Sequence, residues 1–184
     1  MYFEKAGSEN TAETLRIAVA EARARGITHL VVASTVGATA RAALQALAGT
    51  GLKLVVVTHN AGFKDEGKEE FDPAVREEVE QAGHRVLTAT MVTRNLNRAI
   101  TNKWGGSSQT DLITAALRMF GEGVKVAAEI AAMACDAGLI PFADVVAVAG
   151  TGRGADTAVV LRANSSSRFF EIKFREILCK PKNF

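Results

Sequence analysis

The sequence predicts a three-layer α/β/α sandwich with a mainly parallel sheet. Short apolar runs of strand length alternate with longer stretches that have helical periodicity, in the order expected for repeated β-α units. Apolar residues make up 48% of the 184 residues, which is enough to bury a sizeable core. Because no linker, repeat or low-complexity tract interrupts the pattern, we expect one domain over residues 1–184.

The first three elements have clear boundary signals. A helix is expected after Asn10, with Glu13 three residues later as in a capping box, and it ends at Gly26. A strand over 28–34 follows, and then an alanine-rich helix over about 39–48.

The middle of the chain continues the alternation. The valine-rich run at 52–58 predicts a strand, and Asp72, followed by proline, caps a third helix. A shorter strand is expected over 84–90. A long helical region follows over 111–136, with a break near Gly121.

The C-terminal part predicts the antiparallel strands of the sheet. The segment between the strands 144–149 and 157–162 is too short for a crossover helix, so these strands should pair antiparallel. The tail from Arg168 to Leu178 alternates apolar and charged residues. That alternation predicts a half-exposed strand at the sheet edge.

Two segments, His59 to Asp72 and Met91 to Thr110, are predicted as unusually long loops, and long loops in compact domains are often functional. In the first, the run 64–72 mixes charges of both signs, which favours a solvated surface. The second contains Arg94 and two further basic residues before Trp104, and no acid. It can form a basic flap that closes over an anionic, aromatic ligand. The alternative is a surface loop in which Trp104 fills an edge of the core.

Composition excludes several classes of function. Lys and Arg total 22 and Asp and Glu total 20, a balance that argues against nucleic acid or an anionic membrane as partner. The first residues lack a signal pattern, and Cys135 and Cys179 have no metal-ligand spacing. We therefore expect a reduced, cytoplasmic protein without a metal site.

Two loops at strand ends carry the functional prediction. The segments 34–39 and 150–157 are rich in glycine and hydroxyl residues, and each follows an apolar strand. In open α/β sheets such ends converge where the strand order reverses, and free N–H groups and hydroxyls there bind phosphate. The candidate ligand-binding residues are Ser34, Thr35, Gly37, Ala38, Thr39, His59, Arg94, Gly150, Thr151, Gly152, Arg153, Gly154 and Asp156.

Alternatives stay open for several of these residues. The first loop also fits an ordinary capped strand-to-helix turn, and Asp156 either binds a ligand hydroxyl or caps its own turn. His59, at the end of the second long strand, either faces the crevice or is structural. Neither a Walker nucleotide-binding loop nor a dinucleotide-binding fingerprint is present, and no nucleophile–base–orienter set is evident.

Four segments resemble the carboxyl-terminal α/β domain of pyruvate kinase. They are similar, more closely, to a stand-alone family built on that domain in archaea and bacteria. The segments are 33–41, 120–130, 136–141 and 152–158. The resemblance to the stand-alone family covers almost the whole chain, whereas the resemblance to pyruvate kinase itself is weaker and rests on the two loops.

The resemblance implies a phosphorylated small molecule in the crevice. In pyruvate kinases the loop corresponding to 34–39 binds a sugar bisphosphate, but Val36 and Ala38 stand here where Ser and Arg occur in many such loops. The stand-alone family suggests FMN as the first candidate, with an enzyme acting on a phosphorylated metabolite or a regulatory, oligomerising module as alternatives. A homo-oligomer through the tail strand is expected. Pyruvate kinase activity is not, since its barrel exceeds this chain in length.

Overall fold

A seven-stranded sheet lies at the centre of the computed structural model, which describes all residues from 1 to 184. The strands are β1 (Tyr2–Lys5), β2 (His29–Ala33), β3 (Lys53–Val57), β4 (Arg85–Leu87), β5 (Asp144–Ala149), β6 (Thr157–Arg162) and β7 (Lys173–Asn183). The helices are α1 (Thr11–Ala24), α2 (Ala38–Leu47), α3 (Pro73–Gln81), α4 (Asn95–Trp104), α5 (Gln109–Arg118) and α6 (Glu122–Asp136). Short 3₁₀ turns cover Ser8–Asn10 and Ser166–Glu171.

The strand order is β1-β7-β6-β5-β2-β3-β4. Strands β5, β2, β3 and β4 are parallel, and β6 is antiparallel to both of its neighbours. The predicted antiparallel pairing and the central position of β2 between β3 and β5 are therefore confirmed. Since the chain runs from β2 to β3 and β4 on one side and returns to β5 on the other, the order reverses between β2 and β5.

Helices cover both faces of the sheet, which confirms the three-layer sandwich. One buried cluster joins α1, α2 and α3 to alternate strand residues such as Leu30, Val32 and Val56. The other joins α6 to the intervening residues, among them Val31 and Val55. Parallel strands buried on both faces consist largely of valine and leucine, as the sequence predicted.

The tail is not the edge strand that the alternation predicted. Residues 166–171 form a 3₁₀ turn, and β7 begins only at Lys173. Strand β7 pairs with β6 on one side and with β1 on the other, so its polar backbone groups are already bonded. The edge position predicted for the tail is therefore wrong, because the N-terminal strand β1, which the sequence did not reveal, occupies that edge. The homo-oligomer stays a prediction.

The segment 91–110 is also not a loop. It contains α4, none of whose residues is buried. Leu96, Ile100 and Trp104 follow one another at helical spacing and remain exposed. The break predicted in the helical region is confirmed and separates α5 from α6.

Helix ends follow the predictions in part. Asp72 caps α3 as expected, because its Oδ1 accepts a hydrogen bond from the Ala74 N–H at 2.9 Å. Asn10 does not cap α1 with its side chain but donates to the Lys5 carbonyl, and Glu13 pairs with Arg16. None of the helices combines the length and the apolar character needed to cross a membrane.

Candidate functional site

A cavity of about 490 Å³ opens at the carboxyl ends of β2 and β5. We call it the crevice. Residues from both predicted loops line it, together with His59 at the end of β3. The topology explains this convergence, since β2 and β5 are neighbours and parallel, so the loops that follow them emerge side by side.

The first loop presents unpaired backbone donors. The N–H groups of all residues from Thr35 to Thr39 make no hydrogen bond within the protein. Consecutive N–H groups without partners at the start of a helix form a concave site of positive potential. No acceptor of the protein bonds these N–H groups, so the arrangement suits the oxygen of a bound phosphate.

Hydroxyl groups surround the same loop. Ser34 Oγ accepts a hydrogen bond from the Ala40 N–H at 3.3 Å and keeps its own O–H free to donate. The hydroxyls of Thr35 and Thr39 line the crevice without a hydrogen-bond partner in the protein. The predicted hydroxyl residues are therefore together at one wall.

Three helices begin at the crevice. The first residues of α1, α2 and α6, which are Thr11, Ala38 and Glu122, all line it. Each helix N-terminus carries partial positive charge, so their potentials add at this point. The Glu122 carboxylate works against an anion, but Arg118 Nε binds it at 2.5 Å and neutralises it in part.

The glycine loop is held close to the N-terminal segment. Gly154 has φ +75°, and a Cβ atom there would lie 2.4 Å from the Ser8 Cα. The Ala155 N–H donates to Thr11 Oγ1 at 3.0 Å. Ser8 and Thr11 thus reach the crevice because glycine lets the two backbones approach.

Asp156 organises this loop and does not line the crevice. It is fully buried and accepts hydrogen bonds from the N–H groups of Gly7 and Thr151 and from the Thr157 hydroxyl, at 3.3, 3.1 and 2.8 Å. A ligand hydroxyl would have to compete with these donors. The alternative, in which Asp156 caps its own turn, is the one that the structure supports.

Arg153 is the free cation of the crevice. Its side chain lines the cavity, is exposed and takes part in no salt bridge or hydrogen bond. An unpaired guanidinium beside a row of N–H groups adds a planar pair of donors for an oxyanion.

An adjoining cavity of about 200 Å³ extends the crevice between β3 and α6. Its wall is more apolar and shares Ser34, Thr35, His59 and Glu122 with the crevice. The apolar side chains that line it are Ala33, Val57, Phe63, Met91, Val126, Ile130 and Met133. Charged side chains line it as well, namely Arg94, Arg118, Glu122, Lys125 and Glu129. The combined space therefore offers polar groups at one end and, at the other, a slot of apolar side chains with charged ones among them, which we call the apolar slot.

His59 lies where the two cavities meet. Its Nδ1 is 2.8 Å from Glu70 Oε2, and its ring stacks on Phe63 with centroids 3.8 Å apart. The Arg94 guanidinium lies 4.3 Å from the centre of the Phe63 ring. The carboxylate and the ring fix the imidazole, and its Nε2 remains without a partner in the protein.

The structure brings most of the predicted residues together, but four do not line the crevice. Besides Asp156, these are Arg94, which lines the adjoining cavity instead, Thr151, whose buried Oγ1 has no partner, and Gly37. A Cβ atom at Gly37 would lie 2.7 Å from a methyl carbon of Val75, so this glycine serves the packing of α2 on α3.

Sequence reasoning missed the contributions of Ser8, Thr11, Glu70 and Glu122. The first two come from a segment that precedes the whole β-α pattern. Glu70 lies within the run 64–72, whose mixed charges predicted a solvated surface, and nothing in its spacing pairs it with His59. Glu122 was visible only as a residue next to the predicted helix break.

The predicted aromatic flap does not cover the crevice. Trp104 is 70% exposed and lines none of the cavities at the crevice, while Lys103 Nζ lies 5.0 Å from the centre of its ring. Of the basic residues in that segment, Arg94 reaches the adjoining cavity. No group of three or more His, Cys, Asp or Glu side chains is placed to hold a metal ion.

The residues present fit one phosphate group joined to an apolar or aromatic body. The N–H groups, the hydroxyls and Arg153 suit the phosphate, and the apolar slot suits the body. FMN has both parts. The donor set therefore fits that cofactor.

Comparisons with known proteins found similarity to solved structures but no matching family model. Among solved structures, Cryptosporidium parvum pyruvate kinase in complex with ADP is similar at 15% sequence identity, with a TM-score of 0.45. The match covers 84% of this chain and 24% of that enzyme, so the chain spans a minor part of its length. Nothing about the activity of this chain follows from a similarity at this level.

Proposed function

We propose that the crevice binds a phosphorylated small molecule, with FMN as the first candidate. The observation that carries the proposal is the row of unpaired N–H groups from Thr35 to Thr39, at a point where three helices begin. Backbone groups left without partners at a concave surface favour an external acceptor. We also propose that the chain belongs to the stand-alone family whose motifs it resembles.

The phosphate and the body of the ligand would bind at different ends. Ser34, Thr35, Thr39 and Arg153 would hold the phosphate, and Arg94 with the apolar slot would contact the rest. When bound, FMN supplies redox chemistry, whereas the residues of this chain bind, orient and shield it.

An absorbance scan of the purified protein, followed by mass spectrometry of the molecule that heat releases, tests the ligand class. A flavin spectrum at near-stoichiometric amounts supports FMN. A sugar phosphate would keep the phosphate site and remove FMN. If added FMN and other phosphate monoesters all fail to bind in calorimetry, the proposal is wrong.

Variants at two arginines test the position of the phosphate. Arg153→Gln should weaken binding about tenfold, as expected for a lost charge-assisted hydrogen bond. Arg162 is the matched control, because it is exposed, lies at the other end of β6 and makes no salt bridge. Equal affinity in Arg153→Gln and Arg162→Gln would remove Arg153 from the site.

A second candidate function is catalysis on a phosphorylated metabolite. The pairing of His59 with Glu70 favours it, since a carboxylate that holds one ring nitrogen leaves the other to transfer a proton. Turnover in a screen of phosphorylated metabolites, lost in His59→Gln while binding persists, would support this function. Turnover that is unchanged in His59→Gln would exclude His59 as the acid or base.

A further inference from the structure

A third cavity, of about 190 Å³, lies beyond the apolar slot, where α4, α5 and α6 meet. We call it the basic cavity. No apolar residue lines it. Its lining residues are Thr93, Arg94, Arg98, Asp111, Thr114, Arg118 and Lys125.

Two of its four cations have no carboxylate partner. The side chains of Arg94 and Arg98 take part in no salt bridge and donate no hydrogen bond within the protein. Their guanidinium groups therefore keep a full set of donors. Like charges gathered around a small cavity repel one another, and an anion between them relieves that repulsion.

The other two cations are paired with carboxylates that do not line the basic cavity. Arg118 binds Glu122, and Lys125 Nζ binds Glu129 Oε2 at 2.6 Å. The side chain of Lys125 is 4% exposed, and Glu129 also accepts hydrogen bonds from the N–H and hydroxyl of Thr93. This buried network fixes the ammonium group of Lys125 at the cavity wall.

The one lining carboxylate is turned to its own helix. Asp111 Oδ2 accepts hydrogen bonds from the N–H and the hydroxyl of Ser108, at 2.8 and 2.9 Å, in the capping box of α5. These bonds, with the charges of Arg98 and Arg118, lower the pKa of Asp111. Asp111 is therefore engaged at the start of α5 and leaves Arg94 and Arg98 unpaired.

We propose that the basic cavity binds a second anion of the phosphate class, separate from the ligand of the crevice. Two unpaired guanidinium groups and a fixed ammonium group match the several oxygens of a tetrahedral oxyanion. The volume suits a single such group rather than a larger molecule. Arg94, Arg118 and Lys125 also line the apolar slot, so Arg98, which lines the basic cavity and not the slot, distinguishes this anion from the ligand of the crevice.

Nuclear magnetic resonance of the ¹⁵N-labelled protein, titrated with inorganic phosphate at low ionic strength, tests the proposal. Saturable shifts of the amide signals of Thr93 and Thr114 are expected. Arg98→Gln should weaken the binding measured at these signals about tenfold, while Arg162→Gln leaves it unchanged. Arg98 suits the test because it is exposed and its side chain makes no salt bridge or hydrogen bond within the protein.

Three results would overturn the proposal. The first is the absence of a saturable shift at Thr93 and Thr114, and the second is equal phosphate binding by Arg98→Gln and Arg162→Gln. The third is that, in a titration begun with FMN, the shifts accompany FMN itself and not the added phosphate, which would assign the cavity to the crevice ligand. The amide signals of residues 35–39 report binding in the crevice. A failure of the proposed crevice site can therefore be distinguished from a failure of the proposed site in the basic cavity.

Discussion

The two loops at the crevice differ in what they do with their polar groups. In the first loop, N–H groups from Thr35 to Thr39 are left unpaired. In the second, Asp156 and Thr11 accept hydrogen bonds from the N–H groups of Thr151 and Ala155. The first loop thus presents donors to an external group, and the second fixes the wall opposite.

This difference separates binding from stability. Changes in the first loop should reduce ligand affinity and leave the free energy of unfolding almost unchanged. Changes in the second loop should reduce the free energy of unfolding, because its contacts are internal. Arg153 is the exception in the second loop, since its side chain has no internal partner.

The largest effect is expected at Gly154. Gly154→Ala should lower the free energy of unfolding by about 3 kcal/mol, because the new methyl group meets the Ser8 backbone and the residue has a positive φ. Gly152→Ala is the matched control, with φ +81° but open space around it. It should cost about 1 kcal/mol. Urea unfolding measures both, and equal losses would show that the close approach is unimportant.

Asp156→Ala should lower the free energy of unfolding by about 2 kcal/mol, since it leaves buried N–H donors without an acceptor. Asp144 provides the control, because it forms an exposed ion pair with Arg175. Its replacement by alanine should cost less than about 1 kcal/mol. A loss of ligand affinity in Asp156→Ala without any loss of stability would contradict the structural role.

Thr39→Val should weaken binding of a phosphate monoester about tenfold and barely change stability, because its hydroxyl has no partner in the protein. Thr39→Ser keeps the hydroxyl and should retain the affinity. Calorimetric titration measures both. If Thr39→Val and Thr39→Ser bind equally, the hydroxyl does not contact the ligand.

The smallest effect belongs to neither loop. Burial lowers the pKa of His29, with a further contribution from Lys53, and burial also lowers the pKa of His84. The unfolded chain therefore binds more protons on acidification. Stability should be constant above the ordinary histidine pKa of about 6.5 and should fall as the pH drops below it.

Urea midpoints measured at about pH 7.5 and about pH 5.5 test this dependence. The double variant His29→Gln, His84→Gln should show a smaller decrease than the unmodified protein. Both residues lie at the amino ends of strands, away from the crevice. Equal decreases would assign the pH dependence to other groups.

Residues that are close in sequence were predicted best. The valine runs of β2, β3 and β5 identified buried parallel strands, and the short segment between β5 and β6 required antiparallel pairing. The convergence of the two crevice loops followed from strand order alone. Local patterns sufficed for these features because strand burial and loop length act within a few residues.

Predictions failed where a segment distant in sequence forms hydrogen bonds with the residues concerned. The tail alternates like an edge strand, but β1 arrives from the other end of the chain and takes that edge. Asp156 has the polar neighbourhood of a ligand residue, but the Gly7 N–H reaches it from 149 positions away. Neither partner leaves a signal in the local sequence.

The sequence by itself determined the layers of this protein, its central strand and the edge of the sheet where the crevice lies, because these depend on hydrophobic periodicity and chain connectivity. Only the tertiary structure decided which polar groups remain free. It pairs His59 with Glu70, engages Asp156 internally and gathers Arg94, Arg98 and Lys125 around one cavity. Hydrogen bonds and charges act over a few ångströms in space, and that proximity exists only after the chain has folded.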